Sequence, residues 1–214
     1  MEQTDIWSIN PSTSDTFFKT AATVTGGAYP QALVFTNTNP VVAKEGAGYK
    51  VIITSGGDDR TANFTINGAI VGQLTEQGQV PNPNNPEVLA GGNAGAVTST
   101  YFYSRIDSIT ISKAAAGTVA VGTTGDLALP RCRIKGFYVL GDAGAGSLKI
   151  NRFSYTTSAY PTVAVESLLD ITTPAGATLT QFLSLPGQGI LTGQQHNDFA
   201  VVTLDGADYS LFCG

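Results

Sequence analysis

The feature that most restricts this chain is an alternation of period two, cut at short intervals by glycine, asparagine and proline. In TANFTING (61–68), Ala62, Phe64 and Ile66 fall on one side, and Asn63, Thr65 and Asn67 on the other. Tyr49, Val51 and Ile53 repeat the pattern in YKVIITS (49–55). So do Ile109 and Ile111 in the second half of AVTSTYFYSRIDSITISK (96–113), and Val119 and Val121 in GTVAVGT (117–123). Successive side chains of a strand point to opposite faces, so such segments are half-buried strands. Strong helix formers are scarce, and β-branched residues alternate with small polar ones. The chain is therefore expected to be all-β.

Its 214 residues allow one large β domain or two small ones. The punctuation predicts two small β-sandwich or jelly-roll-like units, residues 31–125 and 131–214, after an irregular N-terminal arm over residues 1–30. TGDLALP (124–130) reads as the junction. ALVFTN (32–37), the two runs within 96–113, PTVAVES (161–167) and QFLSL (181–185) are further candidate strands. An Asn-Gly signal at 67–68 predicts a turn. GQVPNPNNPEVLAGGNAG (78–95), with Pro81, Pro83 and Pro86, predicts an exposed loop able to form an interface. A final hairpin is expected around Asp205–Gly206.

Charged residues make up 13% of the chain, against about 25% in ordinary domains. Net charge is −5, which argues against a nucleic-acid binder, since phosphate must be met by a basic stripe. No run approaches the length of a membrane helix. The first residues lack a basic stretch followed by an apolar one, so synthesis in a cytoplasm is expected.

The segment CRIKGFYVLGDAGAGSLKI (132–150) poses the sharpest functional question. A glycine-rich phosphate cradle must lead into a helix whose amides hold the anion. Here GDAGAGS leads into Leu148 and Ile150 alternating with Lys149 and Asn151, which is a strand. The loop therefore reads as a hairpin turn. Phe153 and Tyr155 then change phase, which suggests a bulge. Before the loop, Cys132, Ile134, Tyr138 and Leu140 share one face, and Arg131, Arg133 and Lys135 the other. Those three cations form either a solvated face or a strip that meets a partner.

Residues able to do chemistry are few. His196 is the only histidine and sits in a polar loop without a nucleophile elbow. Cys132 and Cys213 are too far apart for a metal motif and read as two buried thiols. Asp58 and Asp59 follow Gly-Gly and read as a turn. No catalytic residue, metal site or cofactor is expected. Surface carbohydrate binding stays open through the consecutive aromatics Tyr101, Phe102 and Tyr103. Trp7, Phe17 and Phe18 are the large apolar groups of the arm. They dock either on their own domain or on a neighbour.

Together, YKVIITSGGDDRTANFTINGAIVG and GGNAGAVTSTYFYSRIDSITISKAAAGTVAVGT resemble a β-module of virion structural proteins in tailed bacteriophages, especially those of marine and cyanobacterial hosts. The stretch from RIKGFYVLGDAGAGSLKI through LPGQGILTG to LFCG is similar to a second small β-unit that often follows it. The resemblance covers roughly residues 31–214. It implies a non-catalytic particle component: an auxiliary capsid protein that decorates or cements the shell, or else a tail or fibre part, with a carbohydrate- or receptor-binding module as the further alternative. The implied partners are the major capsid protein or tail proteins and other copies of the chain, as a trimer. Neither nucleic acid nor membrane is among them.

Overall fold

The computed structural model describes residues 5–9, 14–24, 26–35, 47–71, 86–140, 146–154, 160–173, 181–185, 189–193, 198–205 and 208–213. Among them there are strands and no helix. The strands of the N-terminal half are β1 (Asp5–Ile9), β2 (Ser14–Thr23), β3 (Gln31–Ala32), β4 (Gly48–Ser55), β5 (Asn63–Ile70) and β6 (Glu87–Ala90). Two long strands follow, β7 (Ala96–Ile111) and β8 (Thr118–Leu129). The remainder are β9 (Arg133–Leu140), β10 (Gly146–Phe153), β11 (Glu166–Thr173), β12 (Gln181–Ser184), β13 (Ile190–Leu191), β14 (Phe199–Asp205) and β15 (Asp208–Cys213).

All pairs are antiparallel. A ten-stranded ladder runs β11-β10-β14-β8-β4-β7-β5-β6, with β2 added on β8 and β3 on β7. A five-stranded sheet runs β1-β15-β9-β12, with β13 on β9. The larger ladder folds over on itself through β7. Residues 96–103 of that strand pair with β4, whereas residues 103–111 pair with β5. The two candidate strands within 96–113 are thus one strand serving two layers. A Cβ at Gly48 would overlap the Tyr103 carbonyl, and one at Gly68 the Arg105 carbonyl. The corner in β7 is therefore gripped from both sides at positions with no room for a side chain.

Between the layers lies the first core. It joins Phe18, Val51, Ile53, Val119 and Val121 of one layer to Phe64, Ile66, Ile109 and Ile111 of the other. Each such side chain contributes about 1.5–3 kcal/mol when fully buried. The period-two assignments for 61–68, 108–112 and 117–123 all fall here. The second core lies between the five-stranded sheet and the far end of the larger ladder. Leu127, Leu129, Leu148, Ile150, Ala200 and Val202 meet Ile134, Phe137 and Leu211 there. Cys132 is buried in it.

Several connections differ from the sequence expectations. Residues 124–129 continue β8, which carries its odd-numbered side chains from the first core into the second. The 1–30 segment contains two strands. β1 pairs with β15, and β2 pairs with β8 through two register shifts, which disrupt the alternation that would have marked it. Asn67–Gly68 lies inside β5, where a register shift opposite Asp107 absorbs the glycine. Within 78–95, residues 87–90 form β6 on β5. Of the described residues 32–35, only Ala32 is in a strand, although the Leu33 amide donates to the Ile109 carbonyl at 2.8 Å; residues 36–37 lie outside the described residues. Residues 161–165 are not a strand, and β11 begins after them.

Neither expected hairpin forms. β9 and β10 lie in different sheets, as do β14 and β15. Both connections cross between layers, so β9 meets β15 and β10 meets β14. A strand, not a helix, begins at Gly146. Within β9 a register shift opposite Phe212/Cys213 makes Lys135 an extra residue. Ile134 and Phe137 consequently both face the core, which breaks the face expected from Cys132 to Leu140. β10 pairs with β14 without interruption, and the bulge lies on its other side, at Leu168 of β11.

Candidate functional site

The expected interface residues are spread over the molecule. Trp7 pairs opposite Leu211 on β1 at the margin of the smaller sheet. Phe18 is buried in the first core with Phe17 edge-on at 5.0 Å, so the aromatics of β2 dock on their own domain. Arg131 is exposed at the bend before β9, while Arg133 and Lys135 are half-buried on that strand, two positions inward from β1. Among the described residues none of these three cations forms an ion pair. Pro86 is exposed just before β6. Pro81, Pro83 and His196 lie outside the described residues.

The two acids of GGDD have separate local roles. Asp58 is exposed and bonds Arg60 at 2.8 Å, which holds its carboxyl at about 2. Asp59 is buried and accepts from the Ala116 amide at 2.7 Å, tying the turn after β4 to the turn before β8.

Two surface features stand out. The first is the margin formed by β2 and β3. Each pairs on one side only among the described strands. Between them lies a cavity of about 280 Å³ lined by Thr20, Ala22 and Thr23 on one side and by Ala32, Leu33 and Val34 on the other. Val34 is 81% exposed. Edge strands are normally guarded by charge, lysine above all. The lysine of β2 instead turns inward: Lys19 Nζ donates to the Val119 carbonyl at 3.1 Å and to Thr20 O at 3.2 Å. Burial lowers its pKa from the ordinary lysine value. The outward residues Thr20, Ala21, Ala22 and Thr23 are uncharged and exposed.

The second is a cleft of about 200 Å³ on the face of the larger ladder that looks away from both cores. Alternation puts it there. Where Tyr101 and Tyr103 point into the first core, Phe102 points out; where Ala200 and Val202 point into the second, Val201 and Thr203 point out. Phe102, Val201, Phe199 and Ala128 form a small apolar cluster on this face. Phe153 belongs to it, stacked on Phe199 at 5.5 Å and 11°. The phase change after Ile150 is thus a handover from the core face to this one. That aromatic out of phase was the sequence signal of the site. Its neighbours could not be found the same way, because Lys50, Asp126, Asn151 and Thr203 converge only once β4, β8, β10 and β14 are laid side by side.

Pro161 and Thr162 wall the cleft, and the segment 160–165 that carries them is pinned at both ends. The Phe102 amide donates to the Tyr160 hydroxyl at 3.1 Å, and the Val165 amide donates to the Arg152 carbonyl at 2.8 Å. Tyr160 packs edge-on against Tyr101 at 4.7 Å. Lys50 Nζ lies 5.2 Å from the centre of the Phe102 ring, a cation–π contact. Comparison with known protein families, with curated proteins and with solved structures finds no match for this chain.

Proposed function

We propose that this chain is a structural protein of a tailed-bacteriophage particle, without catalytic activity, made in the host cytoplasm and assembled into the virion as a decoration or cement on the capsid shell. Its partners are the major capsid protein and other copies of the chain, as a trimer. Besides the resemblance over residues 31–214, one observation carries the reading: the uncharged β2–β3 margin, with Lys19 withdrawn from it and Val34 exposed. An open margin of this kind is a template for strand addition or for a flat apolar contact. Bridging two shell subunits makes the second contact effectively intramolecular, which multiplies affinity without new chemistry.

The test is co-sedimentation of purified protein with emptied capsids, using wild type and the double variant Thr20→Lys/Ala22→Lys. Both positions are exposed, so the variant keeps its thermal midpoint. Binding by wild type and its loss in the variant are expected. Failure of the wild type to bind capsids, or label confined to the tail in images of whole particles, would overturn the capsid assignment.

A further inference from the structure

We infer that the outward cleft of the larger ladder is a saccharide site that takes one neutral pyranose ring of a glycan. Its volume of about 200 Å³ is below the ~300–1,000 Å³ of sites for drug-sized ligands, which suits a single ring. Val201, Phe102 and Phe153 supply the apolar part of its lining. Phe199 covers one face of Phe153, so the ring is held in a fixed plane as it borders the cleft. An aromatic platform accepts the C–H face of a pyranose.

Lys50, Asp126, Asn151 and Thr203 also line it, each half-buried. Among the described residues none of these four side chains has a hydrogen-bond or ion-pair partner. Asp126, Asn151 and Thr203 offer donors and acceptors that the protein leaves unengaged, while the Lys50 ammonium lies over the Phe102 ring; set beside the Phe153 ring, they match the alternating hydroxyls and C–H groups of a sugar. The two charges are of opposite sign, so the lining is balanced. That favours a neutral hexose or an N-acetylated hexosamine over an anionic sugar. The pinned segment that brings Pro161 and Thr162 to the cleft holds that wall in place before the ligand arrives, which lowers the ordering cost of binding.

This site lies on a different surface from the β2–β3 margin, so it can fail while the capsid reading stands, and the reverse. The experiment is saturation-transfer NMR on the full chain with glucose, galactose, mannose and N-acetylglucosamine at millimolar concentration, with glucuronic acid as the anionic control. Transfer to at least one neutral sugar and weaker transfer to glucuronic acid are expected. Asp126→Asn and Asn151→Ala should each weaken binding about tenfold, the loss of one hydrogen bond to a polar ligand, with the thermal midpoint unchanged. Arg60→Ala, remote from the cleft, should leave binding intact. No transfer from any neutral sugar overturns the inference, as does transfer indifferent to both cleft variants.

Discussion

Replacing Glu87 by alanine should destabilise the fold markedly, because one buried carboxylate accepts two hydrogen bonds there. Glu87 opens β6, is 5% exposed and reaches the place where β7 departs from β4. Residues 99–101 of β7 there face Val51 alone. The Val51 amide donates to Ser99 Oγ at 2.8 Å, and that hydroxyl donates to the Tyr101 carbonyl at 2.8 Å. The Thr100 amide is left without a strand partner and donates to Glu87 Oε1 at 2.6 Å. The Tyr103 hydroxyl donates to Glu87 Oε2 at 3.0 Å. Burial and the neighbouring Glu87 carboxylate raise the Tyr103 pKa, so this hydroxyl stays a donor across the working pH range.

Each bond to an ionised acceptor is worth about 1.5–3 kcal/mol. Relief of the carboxylate's desolvation offsets part of that sum, leaving a net loss of about 2–4 kcal/mol. Urea titration followed by far-UV circular dichroism measures it. In a chain of this size the same loss lowers the thermal midpoint by about 5–15 °C. Tyr103→Phe removes one bond and should cost about 1–2 kcal/mol. The double variant should fall short of the sum by about 1–2 kcal/mol, because both changes delete the same contact. A Glu87→Ala protein within about 0.5 kcal/mol of wild type would refute the idea that this carboxylate holds the corner.

Gly68→Ala places a methyl group on the Arg105 carbonyl oxygen, a backbone atom that cannot swing away. A loss of about 3 kcal/mol or an insoluble product is expected, whereas the adjacent Asn67→Ala should lose only its 3.3 Å bond to Ser108, about 1 kcal/mol. Deleting residues 1–30 removes Phe18 and Val24 from the first core, so the remainder should unfold without the sharp transition of the full chain. A cooperative transition in the deletion protein would refute the idea that this segment is part of the first core's framework. Carbon-detected NMR should titrate the Asp58 carboxyl at about 2, and Arg60→Ala should return it toward ordinary aspartate values. The folded pKa is depressed, so the pair's contribution is present above the unfolded value, near 3.9, and fades as pH falls toward 2. The pair is open to solvent, so added salt should screen it and shift the titration upward.

The sequence by itself determined the inward face of three segments of the first core. Ala62, Phe64, Ile66, Ile109, Ile111, Val119 and Val121 were all readable, because alternation across a pleat is a property of the local backbone. It also settled that a strand follows GDAGAGS, since the residues after that loop alternate at once. Only the tertiary structure decided what each strand pairs with. Glycine-rich links such as 141–146 and the pair Asn67–Gly68 permit a hairpin, a crossover between layers or a bulge with equal ease. The choice is made by partners far away in the chain: β15 for β9, β14 for β10 and the Arg105 carbonyl for Gly68. The cleft was hidden for the same reason. Its polar groups come from strands distant in sequence, and only the side-by-side order of those strands brings them to one surface.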